Sequence, residues 1–139
     1  MPARDFYHET VKSALIADGW TITHDPLTLQ FGPKDLFVDL GAERLIAADK
    51  GGEKIAVEVK TFAGRSEIDD LEKALGQFIL YHDILEETEP DRRLYLAVSR
   101  EIVDDLFQEP IGQLLLKNKR VRLIAFDPNL GVIVQWITH

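Results

Sequence analysis

Apolar and polar positions repeat along the chain with two different periods, and the switches between them outline its elements. Val11, Ala14 and Leu15 share one face of a helix that Asp5 can cap and that Asp18-Gly19 can end, glycine tolerating the left-handed conformation such ends require. Four extended stretches follow, WTITHD, LTLQF, LFVDLGAERLIAAD and EKIAVEVKTF. Asp25-Pro26, Gly32-Pro33 and Lys50-Gly51-Gly52 separate them, and the last two stretches read as a hairpin. Ser66, with Asp69 three residues on, opens a long helix that runs to about Glu87 and breaks at Glu89-Pro90-Asp91. RRLYLAVS is then a buried strand, EIVDDLFQEPIGQLLLKNK is helical with a break at Pro110, VRLIAFD is another strand and GVIVQWI a short last one. This order predicts an α/β fold with a mixed central sheet flanked by helices, a single domain over 1–139. No repeat or linker interrupts it.

Composition narrows the class. The chain has 139 residues, 45% hydrophobic and 29% charged, enough to bury a core of its own. Cysteine is absent, which excludes disulfides and thiolate metal sites. No apolar run has the length of a membrane span and MPARDFYHE has no signal-peptide pattern, so a cytoplasmic protein with no membrane contact is expected. A net charge of −8 argues against nonspecific coating of nucleic acid, whose affinity comes from cations replacing phosphate counterions.

The candidate chemistry lies in KIAVEVKTF, residues 54–62. Alternation puts Ala56, Glu58, Lys60 and Phe62 on one face of the strand, so two opposite charges point the same way. A surface ion pair of little energetic consequence is the plain explanation. An acid and a base aimed into a cleft is the other. With the hairpin turn placed at Gly51 and Gly52, Glu58 faces Leu45 and Lys60 faces Glu43, which favours Glu43 as the second carboxylate. Asp39 needs a bend at Gly41 to arrive. Two such carboxylates and the carbonyl of Val59 suit Mg²⁺ or Mn²⁺, hard ions that take oxygen ligands, and Lys60 beside the ion could orient a water or offset charge on a phosphodiester. On the following helix, Gln77 and Tyr81 are four residues apart and share a face that could overlook the hairpin. Glu9 by itself reads as a surface partner of Lys12.

These residues, in this order, resemble the PD-(D/E)XK nuclease superfamily, whose pattern is matched by Glu9 on the first helix, Glu43 or Asp39 on a strand, Glu58-Val59-Lys60 and the pair Gln77 and Tyr81. Over nearly its whole length the chain resembles the XisH family, the fdxN-element excision controlling factors of cyanobacteria, through ALIADGWTITHDPL, DLGAERLIAADKGGEKIAVEVK, ALGQFILY, EPDRRLYLAV and VQWI. The resemblance implies a restriction-endonuclease-like core, a place in programmed DNA rearrangement and a companion protein of the XisI type. It leaves two functions to separate, a metal-dependent endonuclease and a noncatalytic DNA-associated or partner-binding module on the same scaffold.

The remaining candidates are weaker. His8, His24, His82 and His139 are scattered without zinc-ligand spacing, and KGGEK is a turn and no phosphate loop. Trp20 and Trp136 read as core or interface anchors. The basic run Lys117-Asn118-Lys119-Arg120-Val121-Arg122 fits cations complementing a helix C-terminus better than a phosphate grip. The net charge of −8 predicts a chain that binds duplex DNA weakly alone and acts as a homodimer or with the companion the resemblance implies, with Val132, Val134 and Trp136 on one strand face as the interface.

Overall fold

The computed structural model describes residues 5–47, 51–62 and 66–138; Lys50 and His139 lie outside them. The first helix, α1 (His8–Ala17), ends as its sequence predicts, with Gly19 at φ 96°. Strands β1 (Thr21–His24), β2 (Leu27–Phe31), β3 (Lys34–Val38), β4 (Leu40–Ala47) and β5 (Gly51–Val59) follow. Helix α2 (Glu67–Thr88) is capped by Ser66, whose Oγ accepts the Asp69 amide at 3.2 Å. Beyond it come β6 (Arg92–Ser99), a short α3 (Arg100–Asp104), a 3-10 turn at Leu106–Gln108, α4 (Pro110–Lys117), β7 (Leu123–Asp127) and β8 (Val132–Ile137). Pro110 opens α4 at its first turn, where a missing amide hydrogen costs nothing.

Six strands form one sheet in the order β1-β4-β5-β6-β7-β8, while β2 and β3 form a separate two-stranded ribbon. The β5–β6 and β6–β7 pairs are parallel and the others antiparallel. Parallel neighbours need crossovers, and because both crossovers advance across the sheet in the same direction, α2 and the α3–α4 segment cover the same face. That face carries Ala56, Leu94, Leu96, Leu123 and Ala125 against Phe78, Tyr81 and Leu85, with Leu27, Leu29 and Val38 of the ribbon joining in. The opposite face carries Ile55, Val57, Tyr95, Ile124 and Phe126 under Val11 and Leu15 of α1.

Two expectations fail here. The hairpin turns earlier than Gly51-Gly52, because both glycines pair in the ladder, Gly51 with Ala47 and Gly52 with Leu45. The register therefore sets Glu43 opposite Lys54 and Leu40 opposite Val57. It moves by an even number of residues, so the faces of β5 stay as expected while its partners change. The stretch read as one strand from Leu36 also breaks at Asp39, where the chain leaves the ribbon and enters the large sheet.

At the far edge, the ladder between β7 and β8 slips between Ala125 and Phe126, so that Ile133 and Trp136 both face Phe126 and Ile124. Trp136 thus turns inward, 5.7 Å from the Trp20 ring and 5.1 Å from Tyr95. It shares no face with the exposed Val132 and Val134, because a bulge resets the alternation on which that interface rested.

Candidate functional site

Glu58 sits near the carboxyl end of β5 on the face covered by α2, only 8% exposed. One position beyond the Leu40–Val57 pair, Asp39 stands beside it, and Asp39 Oδ2 accepts the Val59 amide at 2.7 Å. Burial, then the neighbouring Asp39 and more weakly Asp5, push the Glu58 carboxyl up to about 10, which favours its protonated form. Tyr81 leans over Glu58 from α2, and burial together with the charges of Glu58 and Asp39 raises its phenol to about 12, so it stays protonated.

Lys60 emerges on the same face two residues on, its Nζ 3.9 Å from Asp70 in the first turn of α2. The backbone beyond it is pinned from the N-terminus: Asp5 Oδ2 accepts the Thr61 amide at 2.9 Å, and Asp5 Oδ1 accepts the Thr61 hydroxyl. Asp5 also accepts the Tyr7 amide at 3.0 Å just ahead of α1, so one carboxylate joins the start of the chain to the strand that carries Glu58.

The structure thus brings together Glu58, Asp39, Tyr81 and, at the rim, Lys60 and Val59. It does not bring Glu43. That residue lies four positions back along the ladder and pairs with Arg92 at 3.7 Å, so the sequence preference for Glu43 over Asp39 is reversed. Arg92 is almost fully buried and donates to the Ile55 carbonyl at 2.9 Å, which anchors Glu43 away from Glu58. Gln77 shares the α2 flank of Tyr81 but is exposed.

Glu9 is exposed on α1 and groups with His8 and Asp25, their nearest ligand atoms all within 4.8 Å of one another. Lys12, expected beside Glu9, instead bonds Asp25 at 2.8 Å, and His8 Nε2 contacts the other Asp25 oxygen at 2.7 Å. Burial works against the Asp25 charge, but the bonds from Lys12 and His8 outweigh it and hold the carboxyl below its usual range. An ammonium inside the cluster makes it a poor cation site. Asp5 and Asp70 are the site residues that sequence spacing missed; only the fold brings residue 5 to residue 61.

A mixed sheet with helices on both faces, and a half-buried Asp39 beside a buried Glu58 at the end of a parallel strand, define an α/β protein with a carboxylate pair at its strand ends. The chain belongs to the XisH family, whose model, described as XisH protein, matches residues 1–134. It is similar to the solved structure of a fdxN element excision controlling factor protein from Anabaena variabilis, at 43% identity and a TM-score of 0.86, covering 97% of this chain and 100% of that one. An XisH family protein from Nostoc punctiforme PCC 73102 is similar at 41% identity and a TM-score of 0.86, covering 96% and 100%. No curated protein matches the chain. Among the described residues, no helix is long and apolar enough to cross a membrane.

Proposed function

We propose that this chain is a metal-dependent nuclease-type protein that takes part in excising a DNA element, with Asp39, Glu58 and Lys60 as its working residues. The observation that carries the reading is the pairing of a half-buried Asp39 with a buried Glu58 whose carboxyl is held well above its usual range, with Lys60 on the same face of the strand. A divalent cation fits this donor set, because two hard oxygen ligands that repel each other when ionised gain more from a bound ion than from a proton. Asp39, Glu58 and the Val59 carbonyl would hold Mg²⁺ or Mn²⁺, and the ion when bound supplies Lewis acidity toward a phosphodiester oxygen.

The side chains around the pair have separate tasks. Tyr81, which leans over Glu58 from α2, can steer that carboxyl with its hydroxyl. Lys60 places a cation where negative charge grows on the phosphate and can orient the attacking water. The pair lies at the carboxyl end of a parallel strand, the usual place for ligands in such sheets. The name of the Anabaena variabilis relative supports the excision role. The net charge of −8 supports a chain that binds DNA weakly alone and acts as a homodimer or with an XisI-type companion.

A noncatalytic DNA-associated module is the second reading. It is favoured by the Lys60–Asp70 contact, which ties the lysine to α2. Incubating the protein with supercoiled plasmid in Mg²⁺ or Mn²⁺ separates the two. Nicking that disappears in Glu58→Gln, Asp39→Asn and Lys60→Met but survives in Glu43→Gln supports the nuclease, while an inert wild type, alone and with its companion, supports the module.

A further inference from the structure

On the other flank of α2 lies a cleft of about 360 Å³, walled by Phe78 and His82 on the helix and by Lys119, Arg120 and Arg122 in the segment between α4 and β7. Three cations within four residues form one wall of a hollow in a chain whose net charge is −8. Among the described residues, none of the three is engaged in an ion pair. Asp83 lines the cleft too, but it lies 3.4 Å from His82 Nδ1, and Glu86 lies 3.7 Å from His82 Nε2.

Two further observations show a cost borne at this wall. Arg122 Nε is buried without a hydrogen-bond partner, which strips part of the guanidinium of water and leaves its charge uncompensated. Lys119 adopts φ 56°, where a glycine normally closes a helix end, its amide bonding the Leu116 carbonyl at 3.1 Å while the Arg120 amide bonds Leu115 at 2.9 Å. A side chain in that conformation is strained relative to glycine. Complementing the helix dipole explains Lys117 in the last turn of α4, yet it gives no reason for a strained lysine beyond that turn or for Arg122 still farther on. A second, smaller cleft of about 220 Å³ shares His82 and Arg122 and is lined also by Arg93, by Glu86 and by Arg92, whose guanidinium is already engaged by Glu89 and Glu43.

We propose that these two adjoining clefts form a phosphate-binding track, gripped chiefly by Lys119, Arg120 and Arg122. Unpaired guanidinium and ammonium groups are the donors that phosphate oxygens take, and two clefts sharing one arginine suit successive phosphates better than a single one. Both a nucleic-acid backbone and a small phosphate compound present this chemistry. The track is separate from the Asp39–Glu58 pair, so its occupancy does not depend on that pair cleaving anything.

Binding is measured in EDTA, in the Glu58→Gln background, so that loss of cleavage cannot mimic loss of binding. Two probes are used, a fluorescent 20-base-pair duplex read by anisotropy across a salt series, and inorganic phosphate read by amide NMR shifts. Lys119→Gly relieves the strained backbone and Arg122→Gln keeps the shape, so the pair of variants tests charge in a folded protein. A backbone track predicts that the double variant binds duplex at least about tenfold more weakly, as expected for losing one or two charge-assisted hydrogen bonds. Each lost cation also lowers the salt slope by about 1. Shifts at 119–122 with phosphate but no difference with duplex assign the track to small phosphates. No shift with phosphate, together with equal duplex affinity and salt slope in the double variant, overturns the proposal.

Discussion

Asp39 accepts the Val59 amide at 2.7 Å, so the carboxylate that neighbours Glu58 also fixes the backbone on which Glu58 stands. The bend between ribbon and sheet, the end of β5 and the candidate site are therefore joined by one side chain. Replacing Asp39 removes a hydrogen bond to the strand as well as a charge, and Asp39→Asn, which keeps an oxygen acceptor, separates the two effects.

The raised pKa of Glu58 makes stability depend on pH. Folding raises the Glu58 pKa from 4.5 to about 10, so the folded chain binds the proton more tightly than the unfolded one. The associated stabilisation is complete below about pH 4.5 and is lost as pH rises toward 10, with a slope of at most about 1.4 kcal/mol per pH unit. In EDTA, wild-type melting temperature should fall from pH 6 to pH 9 relative to Glu58→Gln, which holds no titrating group there. Parallel curves for the two proteins would show that Glu58 ionises normally.

Binding of a divalent ion must displace that proton. Millimolar Mn²⁺ should raise the melting temperature by mass action, more at pH 8.5 than at pH 6.5, and calorimetry in buffers of different ionisation enthalpy should detect proton release. Asp39→Asn and Glu58→Gln should lose the effect while Glu43→Gln retains it. Retention in Asp39→Asn with loss in Glu43→Gln would restore the register read from sequence.

Tyr81→Phe removes the hydroxyl that neighbours Glu58 and leaves the ring packed. The expected cost is about 1 kcal/mol, or roughly 3 °C in melting temperature. Any Mn²⁺-dependent cleavage should decline with it while the pH dependence of stability persists. An unchanged melting temperature and rate would remove Tyr81 from the site.

Gly112 lets α4 dock, since a methyl group there would lie 2.4 Å from the Leu106 carbonyl oxygen and 2.4 Å from Phe107 Cα. Both are backbone atoms that cannot step aside. Gly112→Ala should cost at least about 1–3 kcal/mol. Because α4 leads into residues 119–122, NMR shifts should spread from the helix into that segment; a native-like spectrum and melting temperature would contradict the contact.

Much of the fold was legible in the chain. The order of helices and strands, the Ser66 cap, the stop at Gly19 and the start of α4 at Pro110 all follow local rules, and local rules read well from local sequence. The common face of Glu58 and Lys60 was legible too, because alternation depends only on parity. Their partner was not. Gly51-Gly52 carries the composition of a turn yet pairs within the ladder, which exchanged Asp39 for Glu43, and no glycine or proline marks the break at Asp39. The bulge that turned Trp136 inward has no sequence mark either. Asp5, Asp70 and the basic cleft needed contacts between residues far apart in the chain, which periodicity does not encode.

Tyr81 and His82 are consecutive residues of α2, one leaning over the carboxylate pair and the other lining the basic cleft. A helix rotates about 100° per residue, so a single peptide unit sets the angle between these two compartments. The helix works as a ruler with both marks engraved on it. Substitutions along its solvent side leave the interval unchanged, whereas inserting or deleting one residue between Leu71 and Tyr81 would turn one flank toward the other's partner. Length in this stretch is therefore constrained more tightly than composition.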